Sequence, residues 1–169
     1  MLRVVSADGH VITAPIEYRT TPFNKTPARL ERADAAAIIS VAHVGDEPGK
    51  EIFLQVQQIS SGSTVLAYSL DSGRLIASGV VLGYGGDSAA QASFECFAGN
   101  PPRLLQHTYE LIRGIKAIGN TVHIYGWWKV TTTTYAWHGP RLAKIAQSTH
   151  KRRVLPRDSV GVGCTKGIA

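Results

Sequence analysis

The chain has 169 residues, is 44% hydrophobic and carries a net charge of +6, a length that suits one folded domain with enough apolar material for a core. No run approaches the ~18 apolar residues of a membrane-spanning helix, and Met1 to Asp8 lacks the pattern of a secretory leader; the expectation is a cytoplasmic or virion protein, neither transmembrane nor secreted by a classical signal. The charged fraction is only 18%, and seventeen glycines sit among many Val, Ile and Thr residues, which favours strands and turns over a helical bundle.

In chain order, Leu2 to Ser6 and Val11 to Thr20 flank the turn tripeptide Asp8-Gly9-His10, so a β-hairpin opens the chain. Pro22, Asn24 and Pro27 interrupt regular structure before Ala28 to Ala37, which has helical propensity without an apolar stripe. Ile38 to Val44 and Glu51 to Ile59 read as strands around the turn cluster Gly45 to Lys50. The clearest hairpin joins Thr64 to Leu70 with Arg74 to Leu82 through Asp71-Ser72-Gly73, whose glycine supplies the positive φ of a tight turn. Gly83 to Gly86 interrupts, and Ala89 to Ala98 is one more strand.

Asn100-Pro101-Pro102 has the character of a helix start. Leu104, Leu105, Thr108, Leu111, Ile112, Ile115 and Ile118 recur at helical spacing up to the stop signal Gly119-Asn120. The spacing predicts a main helix over about 101–118, packed on a sheet. Thr121 to Tyr135 reads as one long strand or two, Pro140 to Arg153 as a short amphipathic helix, and Leu155 to Ala169 as a loose end. The expected fold is therefore α+β and β-rich. Its sheet is largely antiparallel, either a sandwich or a single twisted sheet, with one main helix and a short basic C-terminal helix. Residues 1–139 form the globular domain in this reading, and 140–169 the basic helix and tail.

The charge is polarised. Residues 129–169 hold eight basic side chains and one acidic one, whereas 1–128 hold ten basic and eleven acidic. A near-neutral body with a cationic end suits a polyanionic partner. In a helix, Arg141, Lys144, Ser148, Lys151 and Arg152 fall within about a 100° arc, and Arg153 and Arg157 follow with only Asp158 opposing. Strand alternation in Val122 to Val130 separates Val122, Ile124, Trp128 and Val130 from His123, Tyr125, Trp127 and Lys129. The second set has the ingredients of a nucleic-acid platform, rings for bases and a cation for phosphate, and Tyr135 and Trp137 continue its parity. The alternative, that the sheet is covered on both faces and the row is a second core layer in a sandwich, fits every member but Lys129, since a lysine is seldom buried without a partner.

Other chemistry has less support. His10, His43, His107, His123, His138 and His150 show no ligand spacing, so no metal is expected. Gly83-Tyr84-Gly85-Gly86-Asp87 lacks the Lys-Ser or Lys-Thr of a phosphate-gripping loop. Cys96 and Cys164 are far apart and read as free thiols. Asp8 and His10 are close in sequence but have no third residue to orient them.

These features favour a non-enzymatic protein that binds nucleic acid, RNA rather than duplex DNA because no helix-turn-helix or zinc-finger pattern is present. The candidate contacts are Arg141, Lys144, Lys151, Arg152, Arg153, Arg157, Lys129, Tyr125 and Trp127. No cofactor and no membrane partner are expected; self-association or an assembly partner is. A β-rich body with a basic terminal arm is similar in outline to small viral coat proteins, which implies a place in a capsid or ribonucleoprotein. Two alternatives stand beside this: a small enzyme with a His/Asp acid–base site drawn from Asp8, His10, His107 or His123, and an interaction module using the aromatic strand face.

Overall fold

The computed structural model describes residues 1–5, 8–19, 27–29, 37–42, 51–59, 62–86, 89–97, 101–153 and 164. These form twelve strands: β1 (Leu2–Val5), β2 (Val11–Ala14), β3 (Glu17–Arg19), β4 (Pro27–Arg29), β5 (Ala37–Ala42), β6 (Glu51–Ile59), β7 (Gly62–Asp71), β8 (Arg74–Gly86), β9 (Ala90–Phe97), β10 (Arg103–Ile118), β11 (Thr121–His138) and β12 (Arg141–Arg152). Strands β5 to β12 make one eight-stranded antiparallel sheet whose spatial order is the chain order, and β1–β2 and β3–β4 are separate hairpins. Every connection within the large sheet is therefore local.

No helix occurs among the described residues, so the α+β expectation is corrected to an all-strand fold. The segment expected as the main helix is β10, paired with β11 along its whole length. The segment expected as the C-terminal helix is β12. Apolar pairs such as Leu104-Leu105 and Leu111-Ile112 break strict alternation and imitate helical spacing. On β10 they arise because both faces are partly covered: Leu104 is buried and Leu105, Leu111 and Ile112 are half-buried. Gly139-Pro140 is a hairpin turn rather than a helix start. Gly139 has φ 56° and proline holds the next φ near −65°, the sign pattern of a type II′ turn. Of the helix expected over Ala28 to Ala37, Ala28 and Arg29 lie in β4 and Ala37 in β5, and 30–36 lie outside the described residues.

The strand expectations fare better. The opening hairpin is present as β1–β2. The Asp71 to Arg74 turn closes β7 on β8, with Ser72 at φ 48° and Gly73 at φ 74°, both positive as a type I′ turn requires.

The large sheet is curled. Phe53 on β6 and Phe94 on β9 stack with ring centroids 5.2 Å apart, although three flat strand spacings would separate them by about 14 Å. Strand β12 likewise reaches β8. Register shifts in the β5–β6, β6–β7, β7–β8 and β11–β12 pairings add the local twist that curling needs. The concave face holds Phe53, Val65, Ala67, Leu82, Phe94, Leu104, Trp137, Leu142 and Cys164. On β6 and β7 the alternate residues Ile52, Leu54, Val56, Leu66 and Tyr68 face the other way and are covered by Leu2 of β1.

The sheet bends at the β8–β9 seam, where only Gly85 and Gly86 of β8 pair with β9. The buried Gln106 of β10 bridges that seam. Its Oε1 accepts from Gly83 N at 2.9 Å, and its Nε2 donates to Gly83 O at 3.1 Å and Ser93 O at 2.9 Å. Strand packing is tight at Gly83, since a Cβ there would lie 3.1 Å from that of Ala92 and could be accommodated only by a small shift of that neighbour. The Gly83 to Gly86 run is thus the corner of the sheet, the place where glycines tolerate a tight bend.

Cys96 and Cys164 are not free thiols but a disulfide, with Cα atoms 4.7 Å apart. Cys164 thus lies beside β9, a proximity that a separation of 68 positions does not reveal.

Candidate nucleic-acid interface

Strand β12 is the last of the eight and buries one residue of twelve, Leu142. Arg141, Lys144, Lys151 and Arg152 are exposed on it, Arg153 is exposed just after it, and the strand contains no acid. Because the segment is a strand, the single basic arc of a helix is replaced by two rows. Lys144 is the partner of Tyr135 and Lys151 of Lys129, while Arg141 is the partner of His138 and Arg152 of Trp128. Ile145 is the extra residue of a bulge between Thr134↔Ala146 and Tyr135↔Lys144. That one-residue slip allows Lys144 and Lys151, of opposite parity, to share a face. Arg157 lies outside the described residues.

On the neighbouring strand, Trp127 and Lys129 occupy the same face as Lys151. The Lys151 ammonium sits over the Trp127 ring, 4.4 Å from its centroid, within cation–π range. Lys129 Nζ lies 3.2 Å from Oε2 of Glu110, its cross-strand partner on β10, with both side chains about half exposed. One row along, the Thr131 and Thr149 hydroxyls are 3.2 Å apart. Near the next β12 cation, Lys144 bonds Gln147. Tyr125 is placed on β11 opposite Gly114 by the backbone register. Trp137 keeps the parity of the row but is buried in the concave core. Tyr135 is half-buried against that core, and burial pushes its phenol above the usual 10.0. Among the side chains described, the platform consists of the half-buried Trp127 and its cations.

The hairpin β10–β11 outruns its neighbours. Strand β9 pairs with β10 as far as Glu110, and β12 with β11 as far as Trp128. Residues 112–118 and 121–127 form a two-stranded extension among the described residues, about 24 Å long at the usual strand rise.

On the opposite face of β10, a polar cluster escaped the sequence reading. His107 Nε2 lies 3.1 Å from Glu95 Oε1 and Nδ1 lies 2.9 Å from Thr132 Oγ1. A carboxylate, an imidazole and a hydroxyl in line can in principle activate the hydroxyl. All three stand on adjacent strands, Glu95 on β9, His107 on β10 and Thr132 on β11. The cluster works as a cross-strand link; strand pairing, invisible in the spacing of residues 95, 107 and 132, assembles it. Asp8 and His10 approach to 3.6 Å and are highly exposed at the β1–β2 turn. Among the described residues no group of three or more His, Cys, Asp or Glu side chains could hold a metal, and no helix is long and apolar enough to cross a membrane.

No protein-family model, no curated protein and no solved structure matches the chain.

Proposed function

We propose that the protein is a non-enzymatic nucleic-acid-binding component of a larger assembly, a ribonucleoprotein or a capsid, with RNA preferred over duplex DNA. The observation that carries this reading is the acid-free terminal strand, with Arg141, Lys144, Lys151, Arg152 and the following Arg153 all exposed. Adjacent cations repel, and a polyanion removes that cost while releasing its counterions. The two-stranded extension of β10–β11 supports the assembly part, because its edges have no strand partner among the described residues and a ribbon of that kind is marginal in water and suits strand addition. The disulfide accords with a particle outside the reducing cytosol better than with a cytoplasmic life.

Titration with RNA at increasing salt tests the reading. Six phosphate contacts, from the five cations above and Lys129, give a slope of log affinity against log salt of about −4 to −5. Replacing Lys144, Lys151, Arg152 and Arg153 by glutamine is expected to flatten that slope without unfolding the sheet. A slope near zero for the native protein excludes the function.

A further inference from the structure

Lys129 and Lys151 are direct cross-strand partners, and like charges placed opposite each other destabilise a strand pair. Among the described residues, their surroundings offset this only in part. Glu110, the cross-strand partner of Lys129 on β10, supplies one carboxylate for the two ammonium groups, and the Trp127 ring supplies its π face to Lys151. Arg153, exposed just past the end of β12, adds charge near them, and the Thr131 and Thr149 hydroxyls complete the face; Arg152 stands on the opposite face with Trp128. A residual positive charge next to a half-buried indole on an open strand face is complementary to an anion joined to a planar ring. That is the chemistry of one nucleotide.

We infer that this face is a single-stranded nucleic-acid site, in which Lys151 leaves the Trp127 ring to join Lys129 on a backbone phosphate and an unpaired base stacks on the ring face it vacates; the inference rests on the nucleic-acid reading above. A base can lie flat on an indole only when it is out of a duplex, so the ring selects single strands whereas the cations alone do not. Glu110 competes with the phosphate for Lys129 and weakens the site. Lys144, brought to the same face by the bulge at Ile145, tracks the nucleic-acid strand farther along β12.

The experiment compares fluorescence-anisotropy binding of a labelled oligouridine, a duplex of equal length and inorganic polyphosphate to the full chain. Single strands are expected to bind more tightly than duplex. Trp127→Ala lowers the affinity for oligouridine by about fivefold to a hundredfold, the range of one stacked base, and leaves duplex and polyphosphate binding unchanged. Trp127→Phe, which preserves a ring, recovers most of the loss. Glu110→Gln raises oligouridine affinity about two- to fivefold, the scale of one exposed ion pair, an effect a merely structural carboxylate does not produce. Circular dichroism and melting temperature confirm that each variant folds. Equal affinity for the three probes, or salt-dependent RNA binding indifferent to Trp127→Ala, overturns this site and leaves the broader function standing. No salt-dependent binding to any of them overturns both.

Discussion

Strand β7 buries five consecutive residues, Val65 to Ser69, whereas β12 buries only Leu142 among twelve. Both are antiparallel strands of the same sheet. The difference is cover. The alternate side chains of β7 enter two cores, Val65 and Ala67 the concave one and Leu66 and Tyr68 the one under β1. Only Leu142, at the start of β12, enters the concave core, and among the described residues no apolar layer covers the rest of the strand. Stability and surface chemistry are thereby divided between strands, so that β12 can carry cations, which also discourage edge-to-edge aggregation, with little cost to the fold.

Perturbations along this gradient should lose effect in order. Phe53→Ala removes a fully buried ring stacked on Phe94 and is expected to cost about 3–5 kcal/mol, read from denaturant unfolding; a loss below ~1 kcal/mol means that the curl is not closed by this contact. Replacing Cys96 and Cys164 together by serine opens a long covalent loop and should cost about 2–4 kcal/mol. The native protein should show the same drop in melting temperature when a dithiol is added. Gln106→Ala strips the seam between β8 and β9 of its bridging bonds, for an expected ~1–3 kcal/mol. Thr149→Ala on β12 removes one exposed hydroxyl contact and should stay within ~0.5 kcal/mol. An effect there as large as that at Gln106 would erase the proposed division.

The same gradient explains what the sequence discloses. Tight turns are written locally, so Asp71-Ser72-Gly73 and the opening hairpin are legible from a few residues, and the face shared by Trp127 and Lys129 follows from alternation alone. Strand β10 is illegible for two reasons. At 16 residues it exceeds the usual strand length of about 3–10, so length argues for helix, and its partial cover on both faces doubles the apolar positions. The shared face of Lys144 and Lys151 depends on a bulge at Ile145 that no local signal announces. The disulfide and the Glu95–His107–Thr132 cluster depend on long-range pairing, which sequence spacing cannot express.

The bond between Cys96 and Cys164 has a topological consequence. It closes a covalent ring that contains all of β10, β11 and β12, and with them the proposed contact residues from Lys129 to Arg153 and the protruding hairpin. A protease that cuts at the hairpin tip, around Gly119-Asn120, opens the ring but does not divide the molecule. The nicked chain stays in one piece on a non-reducing gel and separates in two only when thiol is added. A projection of this kind can be cleaved in place without being shed from the body that carries it.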